Sequence, residues 1–348
     1  MKKRVAIWIG MALLALLIGY TVLNVYASIA LKKELESIIA AGEPVSLSEL
    51  APEKVPDAEN AFLEFQKAVA VVRKPQEQVD LKIPVSEMPA EMRQRVEALV
   101  QANSMSFELM AEAETYRRSW IPYDYDSPYD SDLPKVSGWI TLARLNAARI
   151  EFLAEAGDAH GVASAVEQGL ALSESLLGTP TMIVCIAGAV CDEATLGALE
   201  IALQNVLLPA VQRAKIAERL QQHTSWQDSV VRAVMAERCW GIAAFHALSE
   251  GRHVGFTQEK AMNPFARSIL QSRLVLKLDE ICYLRVMKIN LEGVRAAVAT
   301  DEEIARALKS TAFYAHMTAM ITPSLTGRGR AAAEVDTKAD RLRAQLRS

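Results

Sequence analysis

An uninterrupted apolar stretch near the N-terminus, residues 5–23, constrains this chain more than any other feature. It contains no charged side chain. A helix of 19 residues rises about 28 Å, which is close to the ~30 Å hydrocarbon core of a bilayer. Trp8 and Tyr26 lie near its two ends, where aromatic side chains favour the membrane interface. The sequence therefore predicts a transmembrane anchor at residues 5–27.

Basic residues flank this stretch unequally. Three lie within residues 1–4, whereas the next two, Lys32 and Lys33, are followed closely by glutamates. The positive-inside rule then predicts cytoplasmic residues 1–4 and a body on the exported side of the membrane. A cleavable signal peptide is the alternative, because Val25-Tyr26-Ala27 suits a peptidase. The apolar stretch exceeds the 7–15 residues usual for signal peptides, which favours an uncleaved, single-pass signal-anchor.

The rest of the chain has a helical composition and clear helix boundaries. Ala, Leu, Glu, Arg and Gln dominate, and only 6% of residues are aromatic. Gly157-Asp158 and Gly178-Thr179-Pro180 each combine a helix stop with the cap of the next helix. Connections this short make neighbouring helices antiparallel. We therefore expect an all-α fold, either an irregular antiparallel helical-hairpin bundle or a short solenoid.

Glycine and proline positions divide the chain further. A juxtamembrane helix should end at Gly42, so that residues 28–56 form this helix and a proline-containing tether. Asp57 can cap the first helix of an α-helical body spanning residues 57–320. Residues 321–348 carry mixed charges and few large apolar side chains, which predicts a weakly ordered C-terminal tail.

Charge and cysteine usage exclude several functional classes. The formal net charge is −4, without a concentrated basic face, so nucleic acid is not an expected partner. The four cysteines lack zinc-ligand spacing, and we expect them to be buried core residues. Cys185 and Cys191 lie six residues apart on one predicted helix and cannot bridge each other. A disulfide from either to Cys239 or Cys282 remains an alternative.

Catalytic motifs are missing from the sequence. It contains no HExxH, GxSxG, P-loop or GxGxxG pattern, and the five histidines are isolated along the chain. No cofactor is therefore expected. The adjacent Asp192 and Glu193 should diverge on a helix and belong to a solvated stripe. An enzyme would need a site assembled from distant residues, such as His160 or His246 with Asp or Glu.

One segment, residues 120–133, departs from the helical pattern. Its prolines prevent a helix, and tyrosines alternate there with aspartates. In one interpretation the aromatic residues pack across the hairpin containing Gly157, or dock a partner, with the aspartates outward. In the other, the carboxylates bind calcium. The aromatic residues are Trp120, Tyr123, Tyr125 and Tyr129, and the carboxylates are Asp124, Asp126, Asp130 and Asp132.

Two resemblances follow from these residues. Residues 143–172, with Gly157-Asp158 at the turn, resemble a single tetratricopeptide hairpin that lacks the family's aromatic and terminal proline positions. Residues 41–50 (AGEPVSLSEL), residues 120–125 (WIPYDY) and the Gly157 hairpin are similar to a loose group of membrane-anchored helical bacterial proteins with no established activity. This resemblance implies a protein of the bacterial inner membrane with an exported helical body, periplasmic or extracellular, and it implies no mechanism.

Three functions are compatible with these features. The first is a membrane-anchored, envelope-facing interaction protein, which contacts the membrane through residues 5–27 and binds a protein partner without evident catalysis. The second is a hydrolase or lyase with a site assembled from distant His and Asp/Glu residues. The third is a self-associating envelope scaffold.

Overall fold

The fold is all-α, as the composition predicts. A computed structural model describes residues 2–75, 79–126, 135–177, 181–222, 225–252, 254, 272–311, 315, 318–319 and 328–347. The structure is 79% helical, and no strand occurs among the described residues. The one strand-like feature described is an isolated backbone bridge between Asn60 and Arg118.

Twelve helices and three short 3₁₀ turns make up the described part of the chain. The helices are α1 Lys2–Ala40, α2 Ala61–Ala70, α3 Ala90–Ala102, α4 Ser104–Ala113, α5 Ser137–Glu155, α6 Ala159–Leu177, α7 Met182–Asn205, α8 Ala210–Gln222, α9 Trp226–Ser249, α10 Arg273–Ala296, α11 Asp301–Thr311 and α12 Arg328–Arg347. The 3₁₀ turns are Ser48–Leu50, Asp57–Glu59 and Val85–Glu87.

The chain forms two compact units rather than one body over residues 57–320. Unit 1 comprises Met1–Leu50, Tyr125–Asp130 and Val234–Thr326. Unit 2 comprises Ala51–Asp124, Ser131–Ala233 and Gly327–Ser348.

In unit 1, the C-terminal half of α1 packs against α10. Residues 7–23 of α1 are exposed, and burial begins at Asn24 and Ala27. Lys277 Nζ of α10 donates hydrogen bonds to Asn24 Oδ1 at 2.9 Å and to Ser28 Oγ at 2.8 Å. Further along, Arg285 Nε donates to Glu34 Oε1 at 2.8 Å. The order of these contacts shows that α1 and α10 run parallel.

The segment after α1 is docked on unit 1. Gly42, at φ 71°, turns the chain as predicted, since this left-handed conformation favours glycine. Glu43 then pairs with Arg238 Nη1 at 2.6 Å and Arg295 Nη1 at 2.8 Å. Leu47 and Leu50 are buried beside Ala236 and Cys239. The first part of the predicted tether is therefore held in place.

Two opposing effects set the acidity of Glu43. Burial raises the pKa of its carboxyl, but hydrogen bonds from Arg238 and Arg295 outweigh burial and hold this pKa below its usual value. The folded-state pKa is thus lower than the unfolded one. Consequently these ion pairs stabilise unit 1 above the unfolded pKa, and this stabilisation is lost as pH falls through the folded value.

Tyr283 of α10 packs against the later part of α9 and is hydrogen-bonded to it. Tyr283 is 1% exposed, and its hydroxyl donates to the Glu237 carbonyl at 2.6 Å. A Cβ on Gly241 would lie 2.2 Å from the Tyr283 ring. Gly241 therefore permits a close approach that any side chain would block.

Unit 2 has a core of α5, α6 and α7, which pack on one another, with α2 and α4 against them. Gly157, at φ 72°, ends α5, and Asp158 Oδ1 accepts from the Gly161 amide at 2.9 Å, as the predicted stop and cap require. Phe62 stacks on Trp139 with ring centroids 5.1 Å apart. Helix α7 is apolar enough to cross a membrane, but 61% of its apolar window is buried in the unit, as in a core helix.

The first helix of unit 2 begins later than predicted. Asp57 lies in a 3₁₀ turn, and Asn60 is the N-cap of α2, with Oδ1 accepting from the Phe62 amide at 3.1 Å. The Asn60 side chain also binds the Trp120 backbone. Its Nδ2 donates to the Trp120 carbonyl at 2.7 Å, and its Oδ1 accepts from the Trp120 amide at 3.0 Å.

The C-terminal segment includes a packed helix where a weakly ordered tail was expected. Helix α12 contacts α7 and α8 and buries Ala332, Val335, Leu342 and Leu346. These side chains form a narrow apolar stripe at helical spacing, which is easily overlooked in a charged sequence.

The C-terminal helix also caps α9. The Asp336 carboxylate accepts from the Ser225 hydroxyl at 2.9 Å and from the amides of Trp226 and Gln227 at 2.8 and 3.2 Å. The acceptor for the Trp226 and Gln227 amides is thus a residue 110 positions away from Trp226 in sequence, while the Asp228 amide donates to the local Ser225 hydroxyl at 3.4 Å. A local capping pattern at Thr224 could not reveal it, and Thr224 itself lies outside the described residues.

Asp192 contradicts the expectation of a solvated stripe, because it is 1% exposed. Its carboxylate accepts from the Ser173 hydroxyl at 3.0 Å and from Trp226 Nε1 at 2.9 Å. Trp226 is fully buried, and a Cβ on Gly188 would meet its ring at 3.1 Å. Asp192 therefore fixes the start of α9 against α6 and α7.

All four cysteines are buried free thiols, so the disulfide alternative is not realised. Burial raises the pKa of Cys185 and of Cys239 to about 12. These thiols are therefore protonated core residues at neutral pH.

Replacing Asp336 by Ala should destabilise the protein by about 1–2 kcal/mol, since the Trp226 and Gln227 amides at the start of α9 lose their acceptor. Denaturant unfolding of the full-length protein in detergent micelles measures this change. Asp340→Ala is the matched control on the same helix, because Asp340 is 68% exposed and pairs only with Arg343 in the described contacts. It should change stability by less than about 0.5 kcal/mol. Equal effects of the two substitutions would contradict the capping role.

Candidate functional site

The most prominent candidate site is an open cleft of about 770 Å³ in unit 2, here called the charged cleft. Helices α6 and α8, the first turns of α9 and the segment 116–119 line it. Its charged lining residues are Arg117, Arg118, Glu167, Glu174, Lys215, Glu218, Arg219, Asp228 and Arg232.

Helical spacing explains why these side chains share one surface. On α6 the lining residues are 167, 171, 174 and 175, and on α8 they are 215, 218, 219 and 222. Residues three, four and seven apart lie on one face of a helix. The two helices pack together, so their charged faces meet along the cleft.

One ion pair at the cleft joins α6 to α8. Glu167 is buried, with only 6% of its side chain exposed, and its carboxylate contacts Lys215 Nζ. The lysine is 61% exposed and remains accessible from the cleft. A buried carboxylate is costly unless it is paired, so Lys215 stabilises the ionised Glu167 in this position.

A second cluster surrounds Arg219, whose side chain is 11% exposed. Its guanidinium donates to Glu174 Oε2 at 2.6 Å and contacts Glu114 Oε1 at 3.4 Å. Its Nε is buried and forms no hydrogen bond with any described residue. Two carboxylates thus hold one guanidinium in a fixed position.

The exposed edge of the cleft is richer in cations. Arg118 contacts Glu53 at 3.1 Å and Glu59 at 3.8 Å, while Arg117 is exposed and has no ion pair with the residues that the structure describes. Arg232, on α9, is exposed as well. The cleft therefore offers fixed carboxylates and guanidinium groups to a charged ligand, which suits recognition by complementary ion pairs.

The tyrosine and aspartate segment is only partly described. Tyr129, Asp130 and Asp132 lie outside the described residues, whereas Asp124 and Asp126 are exposed. No three His, Cys, Asp or Glu side chains converge on a metal-binding point within the described ranges. The calcium interpretation needs all four aspartates and stays a prediction.

The described aromatic residues of this segment, Trp120, Tyr123 and Tyr125, are half-buried. The Trp120 ring lies 5.3 Å from Lys54 Nζ, a cation–π contact, and the Trp120 backbone is held by Asn60. In unit 1, Tyr125 packs beside Leu47 and Leu50. Ile121, which follows Trp120 in this segment, is buried, with 2% of its surface exposed. Docking of Trp120 on the Gly157 hairpin also stays a prediction.

The two histidines singled out for a catalytic site are both exposed. His160 Nδ1 lies 3.4 Å from Gln212 Nε2, and His246 Nδ1 lies 3.5 Å from Glu250 Oε1. Neither lines the charged cleft in the described part of the chain. His223, His253 and His316 lie outside the described residues.

The residues of the charged cleft were missed by sequence reasoning. Glu167, Glu174, Lys215 and Arg219 each occur at spacings typical of a solvated helix face. The apolar residues in the same helical turns were a signal that Glu167 is buried. Glu167 lies between Val166 and Leu170, which are fully buried. No family model, curated protein or solved structure matches this chain.

Replacing Lys215 by Ala should cost about 1–3 kcal/mol of stability, because the buried Glu167 carboxylate loses its partner. Lys288→Ala provides the control, since Lys288 and Glu292 are an exposed pair 4.0 Å apart. This exposed pair should contribute less than about 0.5 kcal/mol. Thermal unfolding of both variants compares them. A Lys215→Ala variant as stable as Lys288→Ala would show that Glu167 does not depend on the ion pair.

Proposed function

We propose that this chain is a single-pass, membrane-anchored binding protein of the bacterial envelope. Residues 5–23 cross the inner membrane, the two units lie on its exported side, and the charged cleft receives a charged segment of a partner protein. The observation that carries the binding function is the cleft itself, in which Glu167 and Arg219 are held at low exposure at an open surface.

The burial pattern of α1 supports the anchor. This helix is 39 residues long and unbroken, and its apolar window has a mean hydropathy of 1.9. Large side chains such as Leu16 and Trp8 are 70% exposed. Water would oppose this exposure, at a cost of roughly 1.5–3 kcal/mol for each large side chain, whereas lipid would favour it.

The packing of the α1 residues that follow residue 23 supports an uncleaved anchor. Ala27, the last residue of the predicted peptidase sequence, is fully buried within α1. Asn24 and Ser28, on either side of it, bind Lys277. A cut after Ala27 would separate these two residues and divide a packed helix.

The geometry of the charged cleft favours recognition over charge neutralisation by a single ion. The lining includes five basic and four acidic side chains, so neither sign dominates. A segment that carries both charges would match this surface better than a simple anion or cation. Because Glu167 and Arg219 already have partners, binding would not require large rearrangement of the floor.

The orientation predicts where a C-terminal reporter will be active. A phosphatase fused after Ser348 should be active in the exported compartment, since the basic residues before the anchor hold the N-terminus in the cytoplasm. A fluorescent protein that folds only in the cytoplasm, fused at the same position, should be dark. The opposite pair of results would reverse the proposed topology.

Cross-linking in intact cells tests the binding function. A photoreactive residue at Gln222, on the edge of the charged cleft, should form one defined protein adduct. The charge reversal Arg117→Glu should reduce its yield several-fold, because it removes an exposed cation from the cleft. The same photoreactive residue at Met105, which is 58% exposed and does not line the cleft, is the positional control.

The charge control is Arg95→Glu, since Arg95 lies on the exposed face of α3. Equal adduct yields at Gln222 and Met105, or equal loss from both charge reversals, would contradict binding at the cleft. An adduct of two copies of this chain would support binding and identify self-association as its purpose.

A further inference from the structure

The register between α1 and α10 places part of unit 1 at a definite height along the anchor. Their polar contacts join 277 to 24 and 28, and 285 to 34. The paired numbers differ by 253 and 249, and by 251. A position on α10 is therefore level with the position on α1 about 251 residues earlier.

The first turn of α10 lies beside the end of the exposed part of α1. Arg273, the first residue of α10, is level with Val22, near the end of the exposed apolar stretch. Lys277 lies one helical turn further from the apolar stretch, beside Asn24. The beginning of α10 thus lies where α1 changes from exposed and apolar to packed and polar.

Exposed tyrosines mark the same level independently. Tyr20 is 44% exposed and Tyr26 is 68% exposed, on either side of this transition. Tyrosine favours the headgroup region of a bilayer, where its ring is in an apolar environment and its hydroxyl is hydrated. Both observations therefore place the membrane interface at residues 20–26 of α1.

The exposed charge that the structure describes on α10 at this level is positive. Arg273 is exposed and forms no ion pair within the described part of the chain, and Lys277 bonds only the neutral Asn24 and Ser28 there. The nearest acidic residues on α10, Asp279 and Glu280, are buried and half-buried. Asp279 is 2% exposed and bonds Thr318, while burial raises the pKa of Glu280 to about 7.

From these positions we propose that unit 1 rests directly on the surface of the bilayer, with Arg273 and Lys277 at the phosphate level of anionic phospholipids. The inference rests on the proposed anchoring by residues 5–23. It adds the specific lipid contact, which fixes how deeply the anchor inserts. Because α1 and α10 are packed in register, unit 1 cannot swing away from the membrane on a flexible tether.

Short-range fluorescence quenching tests this height. The full-length protein is reconstituted in vesicles that contain a spin-labelled headgroup lipid, and one bioorthogonal fluorophore is placed at Ser272 or at Lys288. Ser272 makes no side-chain cap, and Lys288 is exposed, so both positions accept a label. The two lie 16 residues apart on one helix, or about 24 Å along its axis.

We expect the label at Ser272 to be quenched several-fold more strongly than the label at Lys288. Equal quenching at the two positions, in protein that stays with the vesicles after an alkaline wash, would overturn the inference and leave the anchor intact. Protein washed off the vesicles would instead refute the anchor itself, and with it the basis of this inference.

Lipid composition tests the choice of partner. Quenching at Ser272 should increase when anionic phospholipid replaces part of the neutral phospholipid, and the variant carrying Arg273→Gln and Lys277→Gln should lose this increase. Glutamine keeps a hydrogen-bond donor for Asn24 and Ser28. Arg306→Gln with Lys309→Gln, on the exposed face of α11, is the charge-matched control and should behave as the unmodified protein. The same dependence in both double variants, or none in the unmodified protein, would contradict the anionic lipid contact.

Discussion

The contact between α1 and α10 is the interaction on which the account of unit 1 depends. Lys277, Arg285 and Arg295 bind α1 and the residue group just after it, over some 20 residues of each partner. A flexible linker between a helix and a folded unit has a reach that its composition sets. Here the helix that leaves the apolar stretch becomes a structural element of the folded unit. Glu43, with two arginines, then holds the chain at the point where this helix ends.

In unit 2, the buried carboxylate of Asp192 and the half-buried carboxylate of Asp336 have a comparable role. Asp192 binds the Trp226 indole from within the core, and Asp336 caps the first turn of the same helix. These bonds fix the start of α9, which forms one wall of the charged cleft. Both carboxylates come from distant parts of the sequence, so the cleft depends on α12 being docked. The position of the C-terminal helix is thus connected with the shape of the candidate site.

The all-α class and several helix ends could be predicted because their causes are local. Gly42 and Gly157 adopt positive φ, and Asp158 caps α6, as their residue types suggest. The cap of α9 by Asp336, the burial of Asp192 and the charged cleft depend on which helices become neighbours. Glu167 and Lys215 are 48 residues apart, and nothing in the sequence around either one indicates the other. Docking of α12 was missed because its buried stripe consists mainly of small or widely spaced residues.

The central claim is that residues 28–40 of α1, the helix proposed as an anchor, are a packed part of unit 1 and not a flexible linker. Hydrogen exchange of the full-length protein in lipid nanodiscs tests it most directly. Backbone amides of residues 28–40 should exchange about as slowly as those of residues 280–294 on α10, because the two segments must separate before either opens. If residues 28–40 exchange as fast as the irregular residues 51–56, α1 does not pack on α10 and the claim is wrong.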